Sequence, residues 1–259
     1  MKKHIAYLST IIVLFSLYSC VKVIDLPLNT SSSQIVVIGN VYDQVRPDTV
    51  KISRSVKFSE SNVYPMVVGA RVIISSNTGE SELLTEVAPG IYITSTLLGM
   101  AGRTYTLTVI TGGETYTASS TMPAAVNIDS VYLKNGSDYG SNKDVHIKFQ
   151  DPANVTNYYR VVEFINNVRL SLFDVEDDKL SDGTMIDHSI IVTDTIYKAG
   201  DKIDVWLESV DENAYEYFRT ARVEDRNSST PANPVSNLNN GVLGYFNACS
   251  VRKITIVVP

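Results

Sequence analysis

Arg103-Thr104-Tyr105-Thr106-Leu107-Thr108-Val109-Ile110-Thr111 sets Tyr105, Leu107 and Val109 against Thr104, Thr106 and Thr108. A period of two sends successive side chains to opposite faces of an extended chain, so the stretch reads as a strand with one face in a core. Toward the C-terminus, Gly112-Gly113 turns the chain into residues 114–120. Toward the N-terminus, Ala70, Val72 and Ile74 alternate with Arg71, Ile73 and Ser75. Asn77-Thr78-Gly79-Glu80 then turns into residues 82–87, and Ala88-Pro89-Gly90 into residues 91–94. Residues 34–42, with the apolar run Ile35-Val36-Val37-Ile38, and residues 49–56 complete seven short strands at regular spacing. That is the pattern of an immunoglobulin-like or prealbumin-like sandwich.

Thr121-Met122-Pro123-Ala124-Ala125 has no period and contains a proline, so a domain boundary is expected there. It divides an N-terminal β-sandwich, residues 34–122, from a C-terminal β domain, residues 123–259. Strands are expected in the second half at 128–133, 145–150, 158–166, 168–173, 189–193, 202–210, 242–246 and 250–258, with a tight hairpin at Asn166-Asn167. One helix is expected near residues 211–224. Asp211 is a good N-cap, Glu212 favours the first turn, and Ala214, Tyr217, Phe218 and Ala221 fall at i, i+3, i+4 and i+7. The expected class is mainly all-β, two sandwich-like domains of which the second carries one amphipathic helix.

The N-terminal residues address the compartment. Met1-Lys2-Lys3-His4 is a basic start, residues 5–17 form a mostly apolar core, and Leu17-Tyr18-Ser19-Cys20 closes it. This is the plan of a secretory signal, residues 1–19, and its core is shorter than the about 20 apolar residues that cross a bilayer. A small residue before Cys20, with Leu three positions upstream, resembles the bacterial lipobox. Cys20 is accordingly expected to carry a covalent diacylglycerol, which with a further acyl chain makes a lasting membrane anchor. Residues 20–33 read as the lipidated Cys and a short tether, with Pro27 and Thr30-Ser31-Ser32-Ser33. Loss of Lys2 and Lys3 with the signal leaves 20 basic against 28 acidic side chains, a formal charge of −8 against −6 for the whole chain. Nucleic acid is therefore not an expected partner. With Cys20 acylated, Cys249 has no partner for an intramolecular disulfide and reads as a small core residue.

Several stretches taken in order carry a family resemblance: Gln34-Ile35-Val36-Val37-Ile38-Gly39, Gly69-Ala70-Arg71-Val72, Pro89-Gly90-Ile91-Tyr92, Gly102-Arg103-Thr104-Tyr105-Thr106-Leu107, Asn157-Tyr158-Tyr159-Arg160, Tyr215-Glu216-Tyr217-Phe218, and Asn233-Pro234-Val235-Ser236-Asn237 leading to Gly241-Val242-Leu243-Gly244-Tyr245-Phe246. The chain resembles the Bacteroidota outer-membrane lipoproteins classed as a domain of unknown function and commonly encoded beside SusC-like TonB-dependent receptors. The resemblance implies an outer-membrane, lipid-anchored protein, a first sandwich like the regulatory domain of carboxypeptidases, and a TonB-dependent receptor as partner. It implies no catalytic residue.

Three constellations bear on chemistry. Asp174, Glu176, Asp177, Asp178 and Asp182 crowd one expected loop ending at Gly183, either a solvated acidic loop or a calcium site, although the spacing is not that of an EF-hand. Trp206 lies on the charged side of its strand with Asp204 and Glu208. It is either an exposed platform for stacking a sugar ring or a residue covered by the helix. His146, on the polar side of its strand beside Lys148, reads as a surface or satisfied residue, and His188 beside Asp187 is the imidazole that an envelope hydrolase would use. No Gly-x-Ser-x-Gly elbow, zinc spacing or phosphate loop accompanies it. The expectation is a non-enzymatic binding or accessory protein of unknown ligand, with a hydrolase or an adhesive module as alternatives.

Overall fold

The computed structural model describes residues 33–56, 63–136, 142–170, 174–190, 192, 195–225 and 233–259. The expected signal peptide, the lipidation of Cys20 and its tether to residue 32 lie outside the described residues, as does the loop segment 226–232. The described chain runs β1 (Ile35–Tyr42), β2 (Thr49–Arg54), β3 (Arg71–Ser76), β4 (Ser81–Leu83), β5 (Thr85–Ala88), β6 (Ile91–Ile93), β7 (Thr104–Thr111) and β8 (Glu114–Thr121). It continues through β9 (Ile128–Asn135), β10 (Lys143–Gln150), β11 (Tyr158–Ile165), β12 (Val168–Arg169), β13 (Asp174–Asp177), β14 (Met185–Ile190), β15 (Lys202–Val210), α1 (Glu212–Asp225) and β16 (Leu243–Val257).

Three sheets form a mainly β architecture of sandwich-like layers. A nine-stranded sheet has the order β12-β11-β15-β16-β1-β2-β6-β5, with β13 also paired to β11. A four-stranded sheet, β4-β3-β7-β8, packs on one part of it, and a three-stranded sheet, β14-β10-β9, on another. The alternation that opened the reading above holds, since Tyr105, Leu107 and Val109 are fully buried against Val37, Val50, Ile52 and Phe246. The second core gathers Val145, Ile147 and Phe149 against Tyr159, Val161, Ile203, Val205 and Leu207.

The segments 34–122 and 123–259 do not separate into two bodies. Residues 33–259 form one compact unit, and β16 joins strands from both sides of residue 123. Its residues 243–249 pair parallel with β1, from Val36↔Leu243 to Tyr42↔Cys249. Its residues 250–257 pair antiparallel with β15. The strands expected at 242–246 and 250–258 are therefore one strand of 15 residues. Residues 244–251 are buried without alternation, because the four-stranded sheet covers one face and α1 the other. A doubly covered strand loses its period of two and takes small residues such as Gly244, Ala248, Cys249 and Ser250.

Two further boundaries differ from the pattern. Residues 82–87 are two strands interrupted at buried Leu84, β4 in the four-stranded sheet and β5 in the nine-stranded one. The chain crosses between layers where the Leu84 N–H donates to Val72 O at 2.9 Å. The strand expected at 189–193 begins earlier, as β14 from Met185. Asn166 and Asn167 make the expected hairpin, both at positive φ (51° and 66°). Asp211 caps α1 through its Oδ1, which accepts the Ala214 N–H at 2.9 Å, an arrangement that stabilises by about 1 kcal/mol. Its Oδ2 accepts the Thr121 N–H at 2.9 Å, so the cap also pins the end of β8.

At Gly244, paired with Val37, β16 leaves no room for a side chain against β1. This glycine holds φ +98°, and a Cβ there would stand 1.9 Å from Val37 O, whereas one at Gly112 (φ +60°) would meet nothing within 4 Å. Gly112→Ala is expected to cost only the left-handed backbone strain, about 1–2 kcal/mol. Gly244→Ala is expected to cost more than about 3 kcal/mol or prevent folding, because backbone must move and the parallel pairing opens. Thermal unfolding of the two variants checks this, and equal losses would remove the close approach as the explanation.

Candidate functional site

Alternation along β13 decides where the acidic run goes. β13 pairs with β11 so that Asp174 lies opposite Val161, Glu176 opposite Tyr159 and Asp177 opposite Tyr158. Directly opposed residues share a face. Asp174 and Glu176 thus face the second core with Val161 and Tyr159, while Asp177 faces α1 with Tyr158. The five carboxylates expected in one loop are split three ways, because Asp174, Glu176 and Asp177 sit in a strand that separates neighbours. Asp177 accepts the Tyr215 hydroxyl at 2.9 Å and lies 3.4 Å from Lys179 Nζ. Asp178 and Asp182 turn instead toward Asp151.

His188 meets the inward pair. It stands on β14 opposite the core residue Ile147, so its ring enters the space between the sheets. Its Nε2 is 2.8 Å from Asp174 Oδ2 and its Nδ1 is 3.2 Å from Glu176 Oε2. Burial alone would push the imidazole down, but the hydrogen bonds and charges of Asp174 and Glu176 together outweigh it and raise the pKa to about 9. At neutral pH the ring is an imidazolium with both nitrogens engaged. Arg222, in the last turn of α1, lies 3.3 Å from Asp174 Oδ1, so alternating charges link the helix to the three-stranded sheet.

Asp187, the sequence neighbour of His188, points the other way. It accepts the Tyr132 hydroxyl at 2.7 Å and lies 3.1 Å from His146 Nδ1 and 3.6 Å from Lys148 Nζ. The Tyr132 hydroxyl first, and then His146, hold the Asp187 carboxyl below the usual range. His146 is buried and stacks on Tyr132 with centroids 5.2 Å apart, so it is a satisfied residue.

Three buried ionisable side chains, Glu163, Arg160 and Glu208, escape a reading by motif. Glu163 faces the second core, where the Tyr197 hydroxyl donates to it at 2.9 Å and burial pushes its carboxyl up to about 7. On the other face of β11, Arg160 Nη1 donates to Glu208 Oε2 at 3.2 Å with both side chains almost fully buried, and the guanidinium lies 3.9 Å over the Phe218 ring. Helix α1 covers this pair. The local signals were Arg160 and Glu163 within the apolar strand Tyr158–Ile165 and Glu208 within Lys202–Val210. Cys249 lies fully buried in the same layer, and burial together with the Glu208 charge pushes its thiol well up.

Trp206 is partly buried on this face. Phe164 packs against it with centroids 4.8 Å apart, and the Arg46 guanidinium and Lys253 ammonium stand 5.4 and 6.0 Å from its ring. A surface depression of about 270 Å³ is lined by Gln44, Val45, Arg46, Trp206, Val251 and Lys253. The helix-side cluster takes only part of the indole, so the residue is neither a free platform nor fully covered. The arrangement offers a ligand an aromatic wall and two cations.

Two outcomes test these charges. The folded-state pKa of His188, about 9, exceeds its ordinary 6.5. Its stabilisation is therefore complete below pH 6.5 and lost as pH rises through 9. Urea unfolding is expected to show wild type losing up to about 3 kcal/mol relative to His188→Gln across that window. A pH-independent gap would mean the ring is not an imidazolium. Glu208→Leu is expected to cost about 3–5 kcal/mol by stranding Arg160, while Arg160→Leu combined with Glu208→Leu recovers most of the loss. Additive losses in a double-mutant cycle would show the two groups are not coupled.

A search of curated proteins finds no match to this chain. A family model matches residues 21–255, a span that takes in nearly all of the described fold, most of β16 and the His188 cluster included. The chain therefore belongs to the family described as Domain of unknown function (DUF4249).

Proposed function

We propose that this chain is an outer-membrane lipoprotein, anchored by diacylglycerol on Cys20, which binds its ligand without transforming it and serves as an accessory partner of a TonB-dependent uptake receptor. The observation that carries the non-enzymatic reading is the engagement of His188. A general base needs a ring nitrogen free to take a proton, and both nitrogens here face carboxylates. The hydrolase alternative relied on that imidazole. The anchor is supported by the basic start, the apolar core and Leu17-Tyr18-Ser19-Cys20. The receptor partner is supported by the resemblance of the quoted motifs. Binding is supported by the depression beside Trp206, where Arg46 and Lys253 suit a polar or anionic ligand that also stacks on an indole.

Fractionation of native membranes tests the anchor. Wild type is expected with the outer membrane and Cys20→Ala in the soluble fraction, and retention of the variant would overturn lipidation as the tether. Affinity purification of the full chain in mild detergent tests the partner. Recovery of a receptor barrel is expected, and its repeated absence would overturn the accessory role.

A further inference from the structure

The carboxylates that leave the acidic run regroup elsewhere. One oxygen each from Asp151, after β10, and from Asp178 and Asp182, after β13, lie within 4.8 Å of one another. Asp151 and Asp178 are 1% and 4% exposed. Among the described residues no Lys, Arg or His forms an ion pair with any of the three. Like charges this close, two of them out of water and the third, Asp182, exposed, repel each other where no cation stands between them.

Neutral donors orient these carboxylates without cancelling their charge. The Tyr159 hydroxyl donates to Asp151 Oδ1 at 2.5 Å and the Gly183 N–H to Asp151 Oδ2 at 2.9 Å. The Asn157 N–H donates to Asp178 Oδ2 at 2.7 Å, and the Asn154 N–H to Asp182 Oδ1 at 2.8 Å. Burial first, and then the Asp151 hydrogen bond, push the Tyr159 phenol far up, so it stays a neutral donor. A carboxylate has about four lone-pair sites, so each keeps acceptor capacity unused.

A second observation is independent of the acidic residues. The side-chain oxygen of Asn157 is buried and has no hydrogen-bond partner, in a residue only 8% exposed. Extending the β11–β13 register by one residue from Tyr158↔Asp177 sets Asn157 opposite Asp178. It then shares the face of Tyr159, whose hydroxyl reaches Asp151. Asn157 is also joined to Asp178 directly, the Asp178 N–H donating to the Asn157 backbone carbonyl at 3.3 Å, so the orphaned amide oxygen belongs to a residue beside one of the clustered carboxylates.

We propose that Asp151, Asp178 and Asp182, with the Asn157 side-chain oxygen, form a divalent-cation site suited to calcium. The donors are all oxygen, the set that hard cations take. Calcium accepts a shell built largely from protein oxygens, whereas magnesium dehydrates reluctantly and keeps several waters beside one or two carboxylates, so three carboxylates with an amide oxygen favour calcium. The ion would cross-link the chain after β10 to the chain after β13, where a Cβ on Gly183 would stand 2.7 Å from Ala153 Cβ.

Calorimetric titration of calcium chloride into the chelator-stripped full chain in detergent, with magnesium chloride titrated in parallel, tests the site. One equivalent of calcium is expected to bind more tightly than magnesium and to raise the melting temperature by at least about 3 °C at 1 mM. Asp182→Asn, at an exposed position, is expected to weaken calcium at least about tenfold, and Asp178→Asn to act likewise. Asp177→Asn, on the opposite face, is expected to leave the affinity unchanged. Absence of saturable calcium binding, binding that survives Asp182→Asn, or tighter binding of magnesium would each overturn the assignment.

Discussion

Parallel pairing between β1 and the first half of β16 is the constraint on which the architecture rests. The paired residues lie 207 positions apart in the chain, and through them the nine-stranded sheet runs from the first core to the second. The first core is incomplete without Phe246 and Ala248, and the second uses Ile254 and Ile256 of the same strand. A parallel ladder has no local turn to set its register. Contacts across the sheet set it instead, and the approach of Gly244 to Val37 admits no side chain. The same pairing creates the doubly covered surface on which α1 settles.

Charge burial on β11 follows from that layering. Alternate residues of the strand face different layers, and each layer encloses an ionisable group with its own partner: Glu163 with Tyr197 toward the three-stranded sheet, Arg160 with Glu208 under the helix. Asp174, Glu176, His188 and Arg222 continue the pattern across three elements. Buried ions strongly penalise loss of a partner, so these networks tie the helix, the long sheet and the three-stranded sheet to one arrangement. They also hold the proton on the His188 imidazole, whose pKa Asp174 and Glu176 raise to about 9.

Strand existence was legible because alternation is local. Tyr105, Leu107 and Val109 announced a buried face, Asn166-Asn167 a hairpin, and Asp211 with its apolar stripe a capped helix. Boundaries failed where the cause is distant. Residues 82–87 look like one strand, yet Leu84 leaves one sheet so that β5 can join another. Residues 242–258 look like two strands, because burial by two different layers erases the period over 244–251 and restores it afterwards. The acidic run looked like a loop because five carboxylates within nine residues suggest solvent. Three of them are held in β13 by partners on other elements.

The sequence by itself determined the class of fold, the positions of most strands, the helix and its cap, and the sorting of core from surface along strands that alternate, such as β3 and β7. These follow from side-chain period and local hydrogen bonding, which act within a few residues. Only the tertiary structure decided that the two halves share one sheet, that His188 belongs with Asp174 and Glu176 and not with Asp187, and that Asp178 and Asp182 meet Asp151. Those outcomes depend on the register of strands far apart in the chain. A one-residue shift in register exchanges the two faces of a strand, so which charges meet is settled only when the layers have packed.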